Sequence, residues 1–335
     1  MRIGITGSPQ SGKTSIFKIL LGNLDISSSI GVFRPTDKRI ERLVEIYNSK
    51  KKTYPELTFI EVGSAGNLTK KDLSNLGDLD LFICVVGSFF SQDPKKDFDS
   101  ILTDLILHDL EVIQNRLARL EKERSRVNAD KEKALLEKYQ SCLSDGDLIS
   151  SAASSDTEPT LLSGLSFLTS IPIILAINSQ EEELDILDER LKPLKELSSS
   201  KNIPCVIFFG KEELDLLGIE EKERARFLKD LGNSYNFRED ISRLIFEKMD
   251  LVTFFTAGEK EVRGWHLRKG LPIIEAAGKI HSDIKRGFIR AEVISFDDFV
   301  AHGSMHAAKE KGVLRLEGKE YIVKDGDIID IRFNV

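Results

Sequence analysis

Arg2-Ile3-Gly4-Ile5-Thr6-Gly7-Ser8-Pro9-Gln10-Ser11-Gly12-Lys13-Thr14-Ser15-Ile16-Phe17-Lys18-Ile19-Leu20 is the stretch from which the fold is read. Its middle, Gly7 to Thr14, fits G-x-x-x-x-G-K-S/T without a mismatch. A short apolar strand precedes the pattern and an amphipathic helix follows it, which is the context of a P-loop. Gly7 and Gly12 let the backbone curl until its N–H groups face inward. Those groups and the positive end of the next helix form a cradle for phosphate. The nucleotide site read from this stretch is Gly7, Ser8, Pro9, Gln10, Ser11, Gly12, Lys13, Thr14 and Ser15. Lys13 is expected on the β- and γ-phosphates and Thr14 on Mg²⁺.

Outward from this stretch, residues 58–62, 79–86, 171–177 and 204–209 are further apolar runs. Near-continuous apolar strands separated by helical stretches predict an α/β fold with a mainly parallel sheet covered on both faces. Residues 182–197 and 220–231 read as surface helices. From about residue 97 to 143 the texture is different. Ile106, Leu110, Ile113, Leu117 and Leu120 repeat at heptad spacing, and Leu136, Tyr139 and Leu143 continue the seam after a turn near Asn128. This predicts an inserted antiparallel helical hairpin with solvated charged faces. Residues 144–160 are Ser-rich and acidic, which predicts a flexible return linker. Beyond residue 250, closely spaced glycines between strand-like pieces predict a small, mostly β domain.

Composition narrows the class. The 335 residues, 41% of them hydrophobic, suit two or three domains with proper cores. No apolar run approaches the ~20 residues of a membrane span, and a start directly in a strand predicts no signal peptide. Membrane is therefore not an expected partner. A net charge of −7 speaks against a nucleic-acid-coating surface, and DNA is not expected either. A local basic face stays compatible with that charge. Cys84, Cys142 and Cys205 are too far apart in sequence for a metal site and read as buried thiols of a reducing cytosol. Four of the five histidines lie in the tail without metal-binding spacing.

Base choice in P-loop GTPases rests on an N-K-x-D element after a later strand. Here Asn178-Ser179-Gln180-Glu181 stands at that place. Asn178 is kept, the Lys is missing, and Glu181 is one methylene longer than Asp, which misplaces a bidentate acceptor for guanine. The competing reading makes Asn178 a helix cap supported by Glu181.

The chain with these elements resembles the YchF, or Obg-like ATPase, family of Obg-related P-loop proteins. The tail carries the resemblance: Thr253-Phe254-Phe255-Thr256-Ala257-Gly258, Glu261-Val262-Arg263-Gly264-Trp265, Ala276-Ala277-Gly278-Lys279-Ile280-His281-Ser282-Asp283, Arg286-Gly287-Phe288-Ile289-Arg290-Ala291-Glu292-Val293 and Asp325-Gly326-Asp327. The resemblance implies a P-loop domain in two parts, residues 1–96 and 160–250. It places a coiled-coil hairpin with linker at 97–159 and a TGS-type β-grasp domain at 251–335. It further implies ATP preferred over GTP, Mg²⁺ as cofactor, and ribosome or RNA as partner of a cytoplasmic protein, read here as a monomer.

Departures from the family pattern lie in the switches. Only residues 21–30 are left for the first switch, with Ser27, Ser28 and Ser29 as its nearby hydroxyls. The second switch, D-x-A-G in the family, reads Glu61-Val62-Gly63-Ser64, so Glu61 is expected to hold Mg²⁺ through water. The loop beginning at Phe89 is short and lacks the family's His. Binding is therefore expected to outlast hydrolysis, since phosphoryl transfer depends on positioning. In the tail, 14 Lys and Arg face 13 Asp and Glu. Arg263, Arg268, Lys269, Arg286 and Arg290 lie among Trp265 and Phe288, a mixture suited to RNA, or equally to a solvated β surface with Trp265 in its core. Two other functions stay open at this point: a GTPase that tolerates Glu181, and a non-hydrolysing scaffold.

Overall fold

The strands of the computed structural model follow one another as β1 (Arg2–Gly7), β2 (Ile30–Phe33), β3 (Lys52–Thr53), β4 (Leu57–Glu61), β5 (Leu81–Gly87), β6 (Ile173–Asn178), β7 (Cys205–Phe208), β8 (Leu251–Ala257), β9 (Val262–Arg268), β10 (Phe288–Ser295), β11 (Arg315–Glu317) and β12 (Asp327–Phe333). The helices used below are α1 (Lys13–Leu21), α2 (Lys38–Tyr47), α3 (Pro94–Leu120), α4 (Ala129–Ser144), α5 (Ile149–Ala152), α6 (Leu184–Ser200), α7 (Gly210–Asp215), α8 (Phe237–Lys248) and α9 (Ile273–Ile280). The structure describes residues 1–334 except 63–77, 90–92, 123–127, 153–160, 163, 181–183, 221–222, 224–225 and 227–235, and not the side chains of 184–188. The described residues divide into two compact units, Met1–Phe33 with Thr58–Leu244, and Arg34–Leu57 with Ile245–Val335. No described helix is long and apolar enough to cross a membrane.

In the first unit the described strands form a sheet of order β2-β4-β1-β5-β6-β7. The pairs β1–β4, β1–β5, β5–β6 and β6–β7 are all parallel. Every residue of β5 and β6 is buried, as the continuous apolar runs require of strands covered on both faces. Burial pushes the Cys84 thiol up to about 12. The order places β1 between strands reached by opposite turns of the chain. In open parallel sheets such a switch point forms the ligand crevice at the carboxyl ends of the strands.

The helical insertion is built from α3 and α4. Ile113, Leu120, Leu136, Tyr139 and Leu143 are buried between them, with Ile106, Leu110 and Leu117 packed alongside. The N-terminal half of α3 does something else: Phe98, Ile101, Leu102 and Leu105 join the core of the parallel sheet. One helix thus belongs to two cores. The return segment departs from a flexible linker where it is described, because Leu148 and Ile149 are buried and Ile149 begins α5. Nor are the charges of the hairpin all solvated. Arg116 donates twice to Glu132, at 2.5 and 3.1 Å, in a largely buried pair. Asp109 is 0% exposed and accepts from Leu168 N at 3.0 Å, Thr169 N at 2.8 Å and Thr169 Oγ1 at 2.6 Å. It thereby ties α3 to the turn that feeds β6.

In the second unit the described strands run in the order β11-β10-β12-β8-β9-β3. The β8–β9, β10–β12 and β10–β11 pairs are antiparallel, while β12–β8 and β3–β9 are parallel. Helix α9 covers one face with Ile273, Ala276 and Ala277. The other face is covered from an unexpected source. Residues 34–57, counted in the sequence reading with residues 1–96, fold with the C-terminal unit. Ile40 and Leu43 of α2, both 0% exposed, pack among Phe255, Val262, Ile294 and Ile328. Arg39 reaches Asp325 at 2.6 Å. An amphipathic helix seeks an apolar surface, and here the surface lies far along the chain.

Candidate functional site

Strand register brings four loops to one edge of the parallel sheet. Gly7 lies opposite Val85, Gly87 opposite Asn178, and Asn178 opposite Phe208. The loops after β1, β5, β6 and β7 therefore open side by side.

The P-loop is shaped by close approach. Gly12 precedes α1 with φ 98°, a left-handed conformation that favours glycine, and a Cβ there would lie 2.2 Å from Asn178 Nδ2. At Gly7 a Cβ would lie 2.2 Å from the Val85 carbonyl oxygen. Helix α1 then starts at Lys13 with no acidic residue in its first turn, so its positive end is left for an anion. At its other end Arg238 donates to Ile19 O at 2.8 and 2.5 Å. Lys13 is buried, and its Nζ donates to Gly7 O at 3.0 Å and Ser8 O at 2.9 Å. Burial lowers its pKa from the ordinary value, and the charge of Glu61 opposes that shift. Ser11 is 2% exposed, and its hydroxyl has no partner among the described residues. Pro9 and Gln10 form the exposed tip, with Gln10 at φ 58°, and Ser15 lies in the first turn of α1.

Thr14 and Glu61, the two residues expected on Mg²⁺, are adjacent. Thr14 Oγ1 donates to Glu61 Oε1 at 2.6 Å. Glu61 N in turn donates to Ser29 O at 2.8 Å, and Ser28 Oγ is engaged in a local turn with Ile30. A hydroxyl and a carboxylate are hard oxygen donors, the chemistry that suits Mg²⁺ beside nucleotide phosphates. The donor set fits the ion.

Asn178 acts as a tie between loops. It donates through Nδ2 to Ser11 O at 3.0 Å and accepts through Oδ1 from Gly210 N at 2.9 Å. Glu181, Ser64 and Ala65 lie outside the described residues. Two participants escaped the sequence reading. Gly210, where a Cβ would lie 2.7 Å from Asn178 Oδ1, follows an apolar strand directly, a signal that could have found it. Ser88 Oγ, 3.1 Å from Ser179 Oγ, links the ends of β5 and β6 and has no such signal.

The tail cations are not gathered into one patch. Arg263 and Arg268 are on β9 and Lys269 follows it, whereas Arg290 is on β10, with β12 and β8 between the two strands. At strand spacing that is about 14 Å. Arg286 pairs with Asp283 at 2.5 Å. Trp265 is half-buried, stacked on Phe254 and donating through Nε1 to Thr256 Oγ1 at 3.0 Å, while the Arg263 guanidinium lies 4.1 Å from its ring centroid. The aromatic ring is a core member with a cation on it.

Three kinds of similarity follow from comparison with known proteins. The family model YchF-GTPase_C, described as "Protein of unknown function (DUF933)", matches residues 251–334. The chain is similar to the ribosome-binding ATPase YchF of Bacillus subtilis (strain 168), 32% identical over 361 residues and 99% of each chain. It is likewise similar to the ribosome-binding ATPase YchF of Mycoplasma genitalium, 33% identical over 364 residues and 99% of each chain. In three dimensions it is similar to the Schizosaccharomyces pombe YchF GTPase, with a TM-score of 0.88 at 24% identity, covering 99% of this chain and 97% of that one. That last likeness is one of fold.

Proposed function

The chain belongs to the YchF family, and from that membership we propose that it binds ATP with Mg²⁺ at the P-loop and acts on the ribosome in the cytoplasm. One observation carries the nucleotide half: Lys13 and the Thr14–Glu61 pair lie together at the start of α1. In this reading Lys13 leaves its carbonyl partners for the β- and γ-phosphates, and the α1 amides receive phosphate oxygens. Thr14 and Glu61 hold Mg²⁺, which when bound neutralises phosphate charge. Asn178 holds the Ser11 carbonyl and the Gly210 N–H beside the base position, and base choice rests on Glu181, whose length favours ATP over GTP. Hydrolysis is slow, for want of a full-length first switch and of the family's loop His.

The ribosome half rests on the name of the relatives. The α3–α4 hairpin, as a coiled coil, and the C-terminal unit, as a TGS-type β-grasp module, are the parts offered to that partner. Arg263, Arg268, Lys269, Arg286 and Arg290 are its cationic contacts, acting as dispersed charges. Equilibrium titration with labelled ATP and GTP, with Lys13→Ala as control, tests the nucleotide reading. ATP binds tighter than GTP, and Lys13→Ala weakens both roughly 100-fold, the scale of lost hydrogen bonds to a charged group. Tighter GTP binding would replace ATP in this reading, and no binding of either would leave a scaffold.

A further inference from the structure

We propose that the C-terminal unit holds a second ligand site, for a small zwitterion with an apolar body: a free amino acid such as leucine. The site is a cavity of about 450 Å³ at the end of the second sheet where β8 begins. All of its lining belongs to the second unit. The last turn of α8 supplies Phe246, β8 supplies Leu251 and Val252, and the stretch before β12 supplies Ile322 and Val323. Val252 and Val323 are buried, and Phe246 and Leu251 are half-buried, so the floor is apolar. The site is independent of the nucleotide reading.

Charges of both signs stand at the mouth. In the sheet β8 has β9 on one side and β12 on the other. Lys269 follows β9 and Lys324 precedes β12, while Asp250 precedes β8 between them. All three are exposed residues of the lining. Backbone contacts hold them there: Lys269 N donates to Asp250 O at 2.7 Å, and Lys324 N to Asp327 Oδ2 at 2.8 Å. Neither ammonium nor the Asp250 carboxylate has a hydrogen bond or ion pair among the described residues. Asp325, also in the lining, is already committed, accepting from Thr253 N at 2.8 Å and from Arg39 at 2.6 Å. A polyanion is repelled by the carboxylates of Glu247, Asp250 and Asp325, and a bare cation by the two lysines. An uncharged apolar molecule would strip water from unpaired charges and put nothing in its place. A zwitterion satisfies both signs. Its carboxylate lies between Lys269 and Lys324, its ammonium on Asp250, as charge-assisted hydrogen bonds, and its side chain on the apolar floor. The volume falls towards the lower end of the roughly 300–1,000 Å³ of small-molecule sites, which suits so small a ligand.

Isothermal titration calorimetry of the full chain with leucine tests the site. Glycine, which lacks the apolar body, should bind at least about tenfold more weakly. Leucinamide, without the carboxylate, and isocaproate, which is leucine without its ammonium, should each lose about tenfold, the scale of a hydrogen bond to a charged group. Two exposed substitutions assign the ends. Asp250→Asn keeps a residue that tolerates the native φ of 48°, and it should weaken leucine about tenfold while leaving isocaproate unchanged. Lys324→Gln should weaken leucine and leave leucinamide unchanged. No binding of leucine, isoleucine or phenylalanine up to about 10 mM would overturn the proposal. So would glycine binding as tightly as leucine, or leucine affinity untouched by both substitutions.

Discussion

At the end of β1, Lys13, Thr14 and Asn178 are spent on neighbouring protein atoms, whereas in the second sheet Arg268 and Arg290 stand exposed on separate strands. Lys13, Thr14 and Asn178 each have named partners on another loop or strand or on the P-loop itself. Arg268, Lys269 and Arg290 are exposed. The first arrangement holds side chains in defined hydrogen-bond geometry, as recognition of a phosphate chain requires. The second offers cations without fixed geometry, the arrangement proposed above for contact with a polyanionic partner.

The difference can be broken at its tightest point first. Asp109→Ala leaves two buried backbone N–H groups and the Thr169 hydroxyl without their acceptor. We expect a loss of about 4 kcal/mol in the stability of the first unit, from about 1–3 kcal/mol per stranded buried group with some recovery. Chemical denaturation followed by circular dichroism measures it, and a loss under about 1 kcal/mol would show that this anchor is dispensable. Asn178→Ala removes one donor and one acceptor, for about 2 kcal/mol. Because it unties the P-loop from Gly210, nucleotide affinity should fall with stability, and an unchanged affinity in the titration would refute its role as a tie.

Acidification probes the second sheet. His266, packed edge-on against Phe246 at 4.4 Å, has its pKa lowered by burial from 6.5 to about 4, with the charge of Asp37 opposing the shift. The unfolded chain binds the proton first. Stability is therefore fully present above pH ~6.5 and is lost as pH falls towards about 4. Amide exchange in β8 and β9 should accelerate over that window, and His266→Phe should flatten the response. Smallest in stability is the charge reversal Arg263→Glu, Arg268→Glu, Arg286→Glu, at about 0.5 kcal/mol or less per site. Its effect appears instead in ribosome co-sedimentation, which it should abolish. Undiminished pelleting would remove these cations from the interface.

Legibility followed locality. The P-loop is read from eight consecutive residues, and the buried strands β5 and β6 from unbroken apolar runs, so both needed only neighbours in sequence. The hairpin seam is equally local, and Ile113, Leu120, Leu136, Tyr139 and Leu143 are where the heptads put them. Asp109 was illegible because an acid inside a charged helix normally faces water, and its partners are 59 and 60 residues away. The tail cations misled for the opposite reason. Arg268 and Arg290 are near each other in sequence, yet two strands intervene between β9 and β10. For α2, amphipathicity announced that a partner existed without saying which one. At Glu61 the sequence offered the residue as a candidate for Mg²⁺, while the 2.6 Å approach to Thr14 exists only in the folded chain.

The excursion of residues 34–57 has a consequence for how this protein can be divided or inherited. Its C-terminal unit is discontinuous, so the stretch 251–334 matched by the family model is not a portable cassette. Cut free at residue 251, it would lose Ile40 and Leu43 from above Phe255 and Val262, and β3 from the edge of β9. A transplant to another protein, or a gene fusion in evolution, would have to carry both pieces. A premature stop after the first sheet would strand α2 with its apolar side bare, which marks truncated copies of this chain for aggregation rather than for partial function.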